Sequence, residues 1–334
     1  MVSAVIFVAT SCVSPLTGFA FWETNLAYEG ESIYNYLQVK NLSDRTILFT
    51  NVLFGVQSVT MKDKGLTGMY YDTALAAPAL ADNANSALIL GMGTGTYARQ
   101  LKQYYPKMNI TGVEIDQKIT DLAGEYFDEP ADIPVTTYDG RAWLAASHDK
   151  YDVIMVDAYQ DITIPFQMSS TEFFTMVREH LNPGGVMVVN MNMISDGQGS
   201  INEALSDTIA SVFGNGNTLT ADVPNTTNRE LFAKKPGSGS EENSMQQASK
   251  ALNLRETTYE RTGSEDLEWY MEEVASRFRK VNEPDSASTI LTDDKAPVEV
   301  LGMHAIGQII ADEAGPYRQI LKDEGFGGLL RAVQ

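Results

Sequence analysis

The stretch that decides the fold is Ala87-Leu88-Ile89-Leu90-Gly91-Met92-Gly93-Thr94-Gly95-Thr96. An apolar run breaks into glycines, and a helical pattern starts near Tyr97. This predicts a strand, a tight turn and a helix N-terminus. Glycine allows the sharp turn and lets a ligand approach the backbone, and the helix end offers free N–H groups and a positive dipole end; the question is which nucleoside-containing cofactor sits there. The spacing is G-x-G-x-G, whereas a dinucleotide site wants G-x-G-x-x-G, and Thr96 stands where the third dinucleotide glycine would be.

Two later strands sharpen the reading. Residues 109–113 read as a second strand with Glu114 at its carboxyl end, and residues 135–138 as a third that ends in Asp139-Gly140. Ligands of open α/β sheets lie beyond the carboxyl ends of the strands. Gly91, Gly93, Thr94 and Gly95 are therefore expected to face one crevice with Glu114, placed for a ribose diol, and with Asp139 and Gly140, placed for an adenine edge. Together they point to an S-adenosyl-type cofactor. Taken singly, Glu114 and Asp139 each read better as a loop acid or helix cap; it is their joint placement at successive strand ends that favours the functional reading.

The surrounding pattern predicts the architecture. Residues 81–235 alternate strand and helix, the mark of a mostly parallel sheet covered on both faces. The expected fold is the Rossmann-like, seven-stranded class I S-adenosylmethionine-dependent methyltransferase fold. A fourth strand, 153–156, ends at Asp157, a fifth spans 186–190, and a closing hairpin spans 218–223 and 230–234. Ser169 and Glu172 predict a capping box for a helix over 173–181. Ahead of this unit, 23–80 predicts a small antiparallel β domain followed by a helix over 70–80. The Lys235-to-Glu242 stretch, rich in glycine and serine, predicts a surface loop, and 236–334 a helical extension.

Composition narrows the function. Lys and Arg number 24 against 44 Asp and Glu, a net charge of -20. Phosphate binding needs clustered basic charge, so nucleic acid is not an expected partner. An acidic surface instead concentrates cations, although it also serves solubility alone. One cysteine, Cys12, excludes an internal disulfide framework. Three scattered histidines give no metal-ligand spacing, so no metal is expected. Residues 1–22 carry no charged side chain. They lack the basic start of a signal peptide and are marginal in length and apolarity for a membrane span.

With these features in place, residues 31–192 resemble the spermidine synthase family of polyamine aminopropyltransferases. The resemblance rests on Gln57, on Tyr71 with Ala74-Leu75-Ala76-Ala77-Pro78, on the set of Gly91 to Gly95, Glu114 and Asp139-Gly140, and on Tyr151-Asp152-Val153-Ile154-Met155-Val156-Asp157. Val156-Asp157-Ala158-Tyr159, Ile164-Pro165-Phe166, Thr171-Glu172-Phe173-Phe174 and residues 291–299 are similar to bacterial spermidine-synthase-like proteins, often fused behind membrane helices.

The resemblance implies transfer of an aminopropyl group from decarboxylated S-adenosylmethionine to a small cationic, putrescine-like amine. It implies Asp157 as proton acceptor and Tyr71 as orienter of the amine. Gln57, Gly91, Gly93, Thr94, Gly95, Glu114, Asp139 and Gly140 would hold the donor. It further implies a cytoplasmic protein that forms a homodimer through its N-terminal strands, with membrane attachment through residues 1–22 as an alternative.

Three positions depart from the family. Thr94 replaces an acid of the glycine loop, Gln160 replaces a second acid after Asp157, and Asp72 replaces a His or Gln after the tyrosine. Asp72, Gln160 and Asp161 are accordingly the candidate amine contacts. Two other functions stay open on the residues: a methyltransferase using S-adenosylmethionine itself, and a non-catalytic nucleoside- or polyamine-binding module. A dehydrogenase is disfavoured by the glycine spacing.

Overall fold

The computed structural model describes residues 23–51, 56–63, 65–128, 130–158, 164–191, 199–237, 254–285, 288–303 and 322. Residues 1–22, and with them Cys12, lie outside the described residues, as do Tyr159, Gln160 and Asp161.

The chain opens with a four-stranded antiparallel sheet in sequential order: β1 (Leu26–Glu31), β2 (Tyr36–Asn41), β3 (Arg45–Thr50) and β4 (Val56–Met61). Its aromatic and β-branched residues suit a pleated, half-buried surface. Leu37, Val39 and Leu48 are buried against Ile119, Leu122 and Phe127 of the next unit. On the other face, Ile47 and Val59 join the main core. Ser32 and Asn35, between β1 and β2, donate to Asp116 at 2.5 and 3.0 Å, which pins this hairpin to the main sheet.

The helix expected over 70–80 is two short helices, α1 (Tyr70–Ala74) and α2 (Ala76–Leu80), meeting at Leu75. The cause is Pro78, which has no N–H to give to the carbonyl of Ala74. Tyr97 supplies the missing donor, with its hydroxyl 3.0 Å from that carbonyl.

The main sheet has eight strands, one more than expected, in the order β12-β10-β11-β9-β8-β5-β6-β7. Its parallel half comprises β5 (Ser86–Leu90), β6 (Asn109–Glu114), β7 (Val135–Thr137), β8 (Tyr151–Val156) and β9 (Leu181–Met191). Between them run α3 (Thr96–Tyr104), α4 (Gln117–Tyr126), α5 (Gly140–Ala146) and α6 (Thr171–His180). Both faces are covered, and β8 is buried at all of its positions, as a parallel sheet requires.

The cap of α6 is Ser170 rather than Ser169: its Oγ accepts from the N–H of Phe173 at 3.2 Å. After α7 (Ile201–Phe213), the hairpin of β10 (Thr218–Asp222) and β11 (Arg229–Lys234) joins antiparallel to β9. The expected helical extension contains α8 (Leu254–Thr262) and α9 (Glu265–Arg277), and it also contributes β12 (Phe278–Lys280), which extends the sheet beside β10. Among the described residues, no helix is long and apolar enough to cross a membrane.

The sequence order of the strands reverses between β5 and β8. A crevice opens at the carboxyl ends of such a pair.

Candidate active site

A cavity of about 330 Å³ fills that crevice. Gly91 and Gly93 form its floor on one side, Glu114, Asp139 and Gly140 line the next stretch, and Asp157 with Tyr70 and Tyr71 closes the other side. Gln57, at the start of β4, reaches it from the N-terminal sheet, together with Tyr34 and Asn35. The volume lies within the range of small-ligand sites.

The glycine turn is dictated by space. Gly91 has φ +89°, and a Cβ there would collide with the backbone carbonyl of Asp157. Gly93 has φ +55°, and its Cβ would come within 2.9 Å of Ser58 Oγ. Gly95, with φ +77°, is the residue from which α3 starts. Thr94 does not line the cavity: it is fully buried, its N–H donates to Ser58 Oγ at 3.3 Å, and its own Oγ1 has no hydrogen-bond partner.

Glu114 is the acid at the tip of β6. Its Oε2 accepts from Gly93 N–H at 2.8 Å and its Oε1 from Asp116 N–H at 3.0 Å. Burial pushes its carboxyl up to about 7, against the downward pull of those N–H groups. Carboxyl groups so buried yet so held suit a ligand that brings hydroxyl donors. Asp139 serves as the N-cap of α5, its Oδ1 accepting from Ala142 N–H at 2.7 Å, and it lines the cavity as well. Its structural and functional readings are thus compatible.

Asp157 follows β8 directly. Tyr70 donates its hydroxyl to Oδ2 at 2.6 Å, and the Asn190 amide donates to Oδ1 at 3.0 Å. Asn190 is held in turn by Asn228, whose Nδ2 donates to Asn190 Oδ1 at 2.9 Å. The carboxyl meets the cavity on one side and protein on the others, and burial raises it to about 7, partly offset by Tyr70 and Asn190. A carboxyl poised near neutrality can both hold an ammonium and take its proton.

Tyr71, expected to orient the amine, lines the cavity, but its hydroxyl donates to the carbonyl of Gln57 at 2.6 Å. The tyrosine that touches Asp157 is its neighbour Tyr70; the two rings sit 4.0 Å apart. Asp72 is a correction to the expected amine contacts. Its side chain is fully buried away from the cavity, accepting from Thr67 N–H at 3.0 Å, Gly68 N–H at 2.7 Å and Gln100 Nε2 at 2.5 Å. Residues not singled out from the sequence are Tyr70, Asn190 and Asn228. Asn190 closes the fifth strand at the same level as Asp157, a position readable once strands 153–156 and 186–190 are taken as neighbours.

The spermine/spermidine synthase domain matches residues 69–235, half of the chain. A protein of Bifidobacterium longum (strain NCC 2705) called "Probable polyamine aminopropyl transferase" is 99% identical over all 334 residues, which span 75% of that protein. A polyamine aminopropyltransferase of Corynebacterium efficiens is 37% identical over 131 residues, covering 36% of this chain and 25% of that one. Among solved structures, a probable spermidine synthase from Corynebacterium glutamicum superposes with a TM-score of 0.57 at 21% identity, over 80% of this chain and 99% of that one. The Thermotoga maritima spermidine synthase gives 0.51 at 19%, over 64% and 74%. With its doubly covered sheet and its acid-lined crevice, the chain belongs to the spermine/spermidine synthase family.

Proposed function

We propose that the cavity binds decarboxylated S-adenosylmethionine and a putrescine-like diamine, and that Asp157 is the base of the aminopropyl transfer. The observation that carries this reading is the position of Asp157: a carboxyl at the switch point, held by Tyr70 and Asn190, in the same cavity as Glu114. A spermidine synthase structure in complex with the transition-state analogue AdoDATO shares the fold, at a TM-score of 0.51 and 18% identity over 64% of this chain and 75% of that one.

The residues fit the donor. Glu114, already fixed by two backbone N–H groups, presents acceptor capacity for a ribose diol. The missing side chains of Gly91 and Gly93 leave the backbone open to close approach. Asp139 and Gly140 border the adenine side, and Gln57 contacts the donor from β4. The donor itself supplies an activated carbon beside a sulfonium.

An ammonium has no lone pair to attack with, so the acceptor nitrogen must lose a proton first. Asp157 takes it. Tyr70 and Asn190 fix both carboxyl oxygens, so that the acceptor meets the base in one orientation. The cationic amine raises the ionised fraction of Asp157 on arrival, because opposite charge favours the charged form. In this reading residues 23–80 wall the cleft, 81–235 bind the donor and carry the base, and 236–334 support them.

The test is a product screen. Purified protein is incubated with decarboxylated or intact S-adenosylmethionine and a panel of amines, and products are read by mass spectrometry. A gain of one aminopropyl unit, lost in Asp157→Asn, is expected. A gain of one methyl from intact donor would replace the reading with methyl transfer.

A further inference from the structure

We infer that Glu230 makes the acceptor cavity select a dication: it gives up its proton when a diammonium chain enters and supplies a second negative charge beside Asp157. This rests on the aminopropyl-transfer reading and names a residue that sets its acceptor specificity.

The geometry starts with strand register. Val156 pairs with Val189 across β8 and β9, which brings Asp157 level with Asn190. Asn190 pairs with Glu230 across β9 and β11. Asp157, Asn190 and Glu230 therefore form one row across three adjacent strands at the cleft end of the sheet, and cross-strand partners share a face. The Asn190–Asp157 hydrogen bond confirms that shared face for the first two. Phe232, two residues along β11 from Glu230, belongs to the core layer that also holds Tyr70, Tyr71 and Tyr97. Leu231 and Ala233 point into the opposite layer, under α7.

Glu230 is fully buried, and neither Oε1 nor Oε2 has a hydrogen-bond partner. No other described carboxyl group is left with both oxygens in that state. The titratable groups it faces are Asp157 from β8 and Tyr97 from α3, both of which line the cavity. Tyr70 and Tyr71 from α1 share its layer but spend their hydroxyls on Asp157 and Gln57. Its neighbour Arg229 points to the other face and is tied to Asp222 at 2.5 Å.

Burial, and then the charge of Asp157, push the Glu230 carboxyl well above the usual range and so favour its neutral form. An unpartnered acid in a core is costly, and an apolar residue of similar size would serve packing better. What offsets the cost is a cation on the other side of the cavity wall. One ammonium is balanced by Asp157 alone. A second, further along the chain, calls for a second anion. The row spans two strand spacings, about 10 Å, so Glu230 lies beyond the reacting nitrogen rather than at it. The proton leaves for solvent, and no covalent step is involved. Glu230 does not touch the reacting atoms in this scheme; it acts through the field of the cavity.

The experiment compares putrescine with n-butylamine as acceptors at saturating decarboxylated S-adenosylmethionine, in the wild type and in Glu230→Gln, which matches the neutral acid in shape. The variant should raise KM for putrescine by about tenfold or more, change kcat less than threefold, and leave KM for n-butylamine unaltered. Proton release on binding, measured by calorimetry in buffers of different ionisation enthalpy, should be about one proton greater for putrescine than for n-butylamine in the wild type, and the difference should vanish in the variant. Equal proton counts for the two amines in the wild type would overturn the inference even if the variant failed to fold, as would KM shifts of equal size for both amines. Lack of any aminopropylated product from the wild type would overturn the functional reading instead, while the proton count would still decide on Glu230.

Discussion

Arg141 grips Asp293 with two parallel hydrogen bonds, Nη1 to Oδ1 at 2.7 Å and Nη2 to Oδ2 at 2.6 Å, across 152 positions of sequence. The same guanidinium donates to the carbonyl of Gln167 at 2.8 Å, and Ser170 donates to Asp293 at 2.5 Å. Gln167 and Met168 line the cavity. The acid-rich loop of the C-terminal region thus braces the segment leading into α6 against the start of α5. Arg141→Ala should loosen that wall. Because the pair is partly exposed, with side-chain exposures of 21% and 42%, its loss should cost about 1 kcal/mol or less in urea denaturation, whereas kcat/KM should fall about fivefold to tenfold through mispositioning. A double-mutant cycle with Asp293→Asn should show strong non-additivity.

Asp157→Asn should lower kcat by about 100-fold to 10,000-fold, the usual share of a positioned base, while donor affinity measured by calorimetry stays within twofold. The pH dependence follows from its raised carboxyl. Below about 7 Asp157 is protonated and cannot accept, so kcat/KM should climb through that region. Tyr70→Phe removes one hydrogen bond to the ionised form and should move the acidic limb to higher pH.

The same shift has a stability consequence. The folded protein holds the Asp157 proton up to about 7, whereas an unfolded chain loses it near the ordinary carboxylate value of 3.8. Between those values the native state binds more protons, so stability falls as pH rises. Buried Glu114, held up to about 7, acts in the same direction. Denaturation midpoints of Asp157→Asn should accordingly exceed those of the wild type at pH 8 and converge with them at pH 4.

Glu114→Gln should weaken donor binding by roughly tenfold to a hundredfold, because a charge-assisted pair of hydrogen bonds to a diol becomes a neutral, partly repulsive one. Wild-type donor affinity should fall as pH drops below about 7, where the carboxyl is protonated; in the variant that dependence should flatten. Calorimetry over pH 5–8 reads both.

Gly91→Ala places a Cβ against the carbonyl of Asp157 at a backbone angle of +89°. The cost should exceed about 2 kcal/mol, and activity should be lost even where the protein stays folded by circular dichroism.

The strand ends were legible in the sequence because periodicity and glycine spacing locate them without knowledge of the fold: Gly91, Glu114, Asp139 and Asp157 all reach one crevice. Tyr70 was not legible. Adjacent helical residues point about 100° apart, so choosing between Tyr70 and Tyr71 needs the position of Asp157. Asp72 misled for a local reason: the turn through Thr67 and Gly68 captures its carboxyl before the cavity can. Glu230 was hidden by topology. Its place beside Asn190 arises only because a late hairpin returns antiparallel to β9, and nothing in residues 229–234 taken alone announces that neighbour. The break at Leu75 could have been anticipated from Pro78, but not the tyrosine from α3 that stands in for the missing N–H.

Between the turn after β5 and the backbone of Asp157 there is no side-chain padding, only the bare Cα of Gly91. On the proposed reading, the donor seat and the proton acceptor share a partition one peptide thick. A donor seated badly against Gly91 would then shift the backbone of Asp157 as well, so a misfitting nucleoside should lose turnover in addition to affinity.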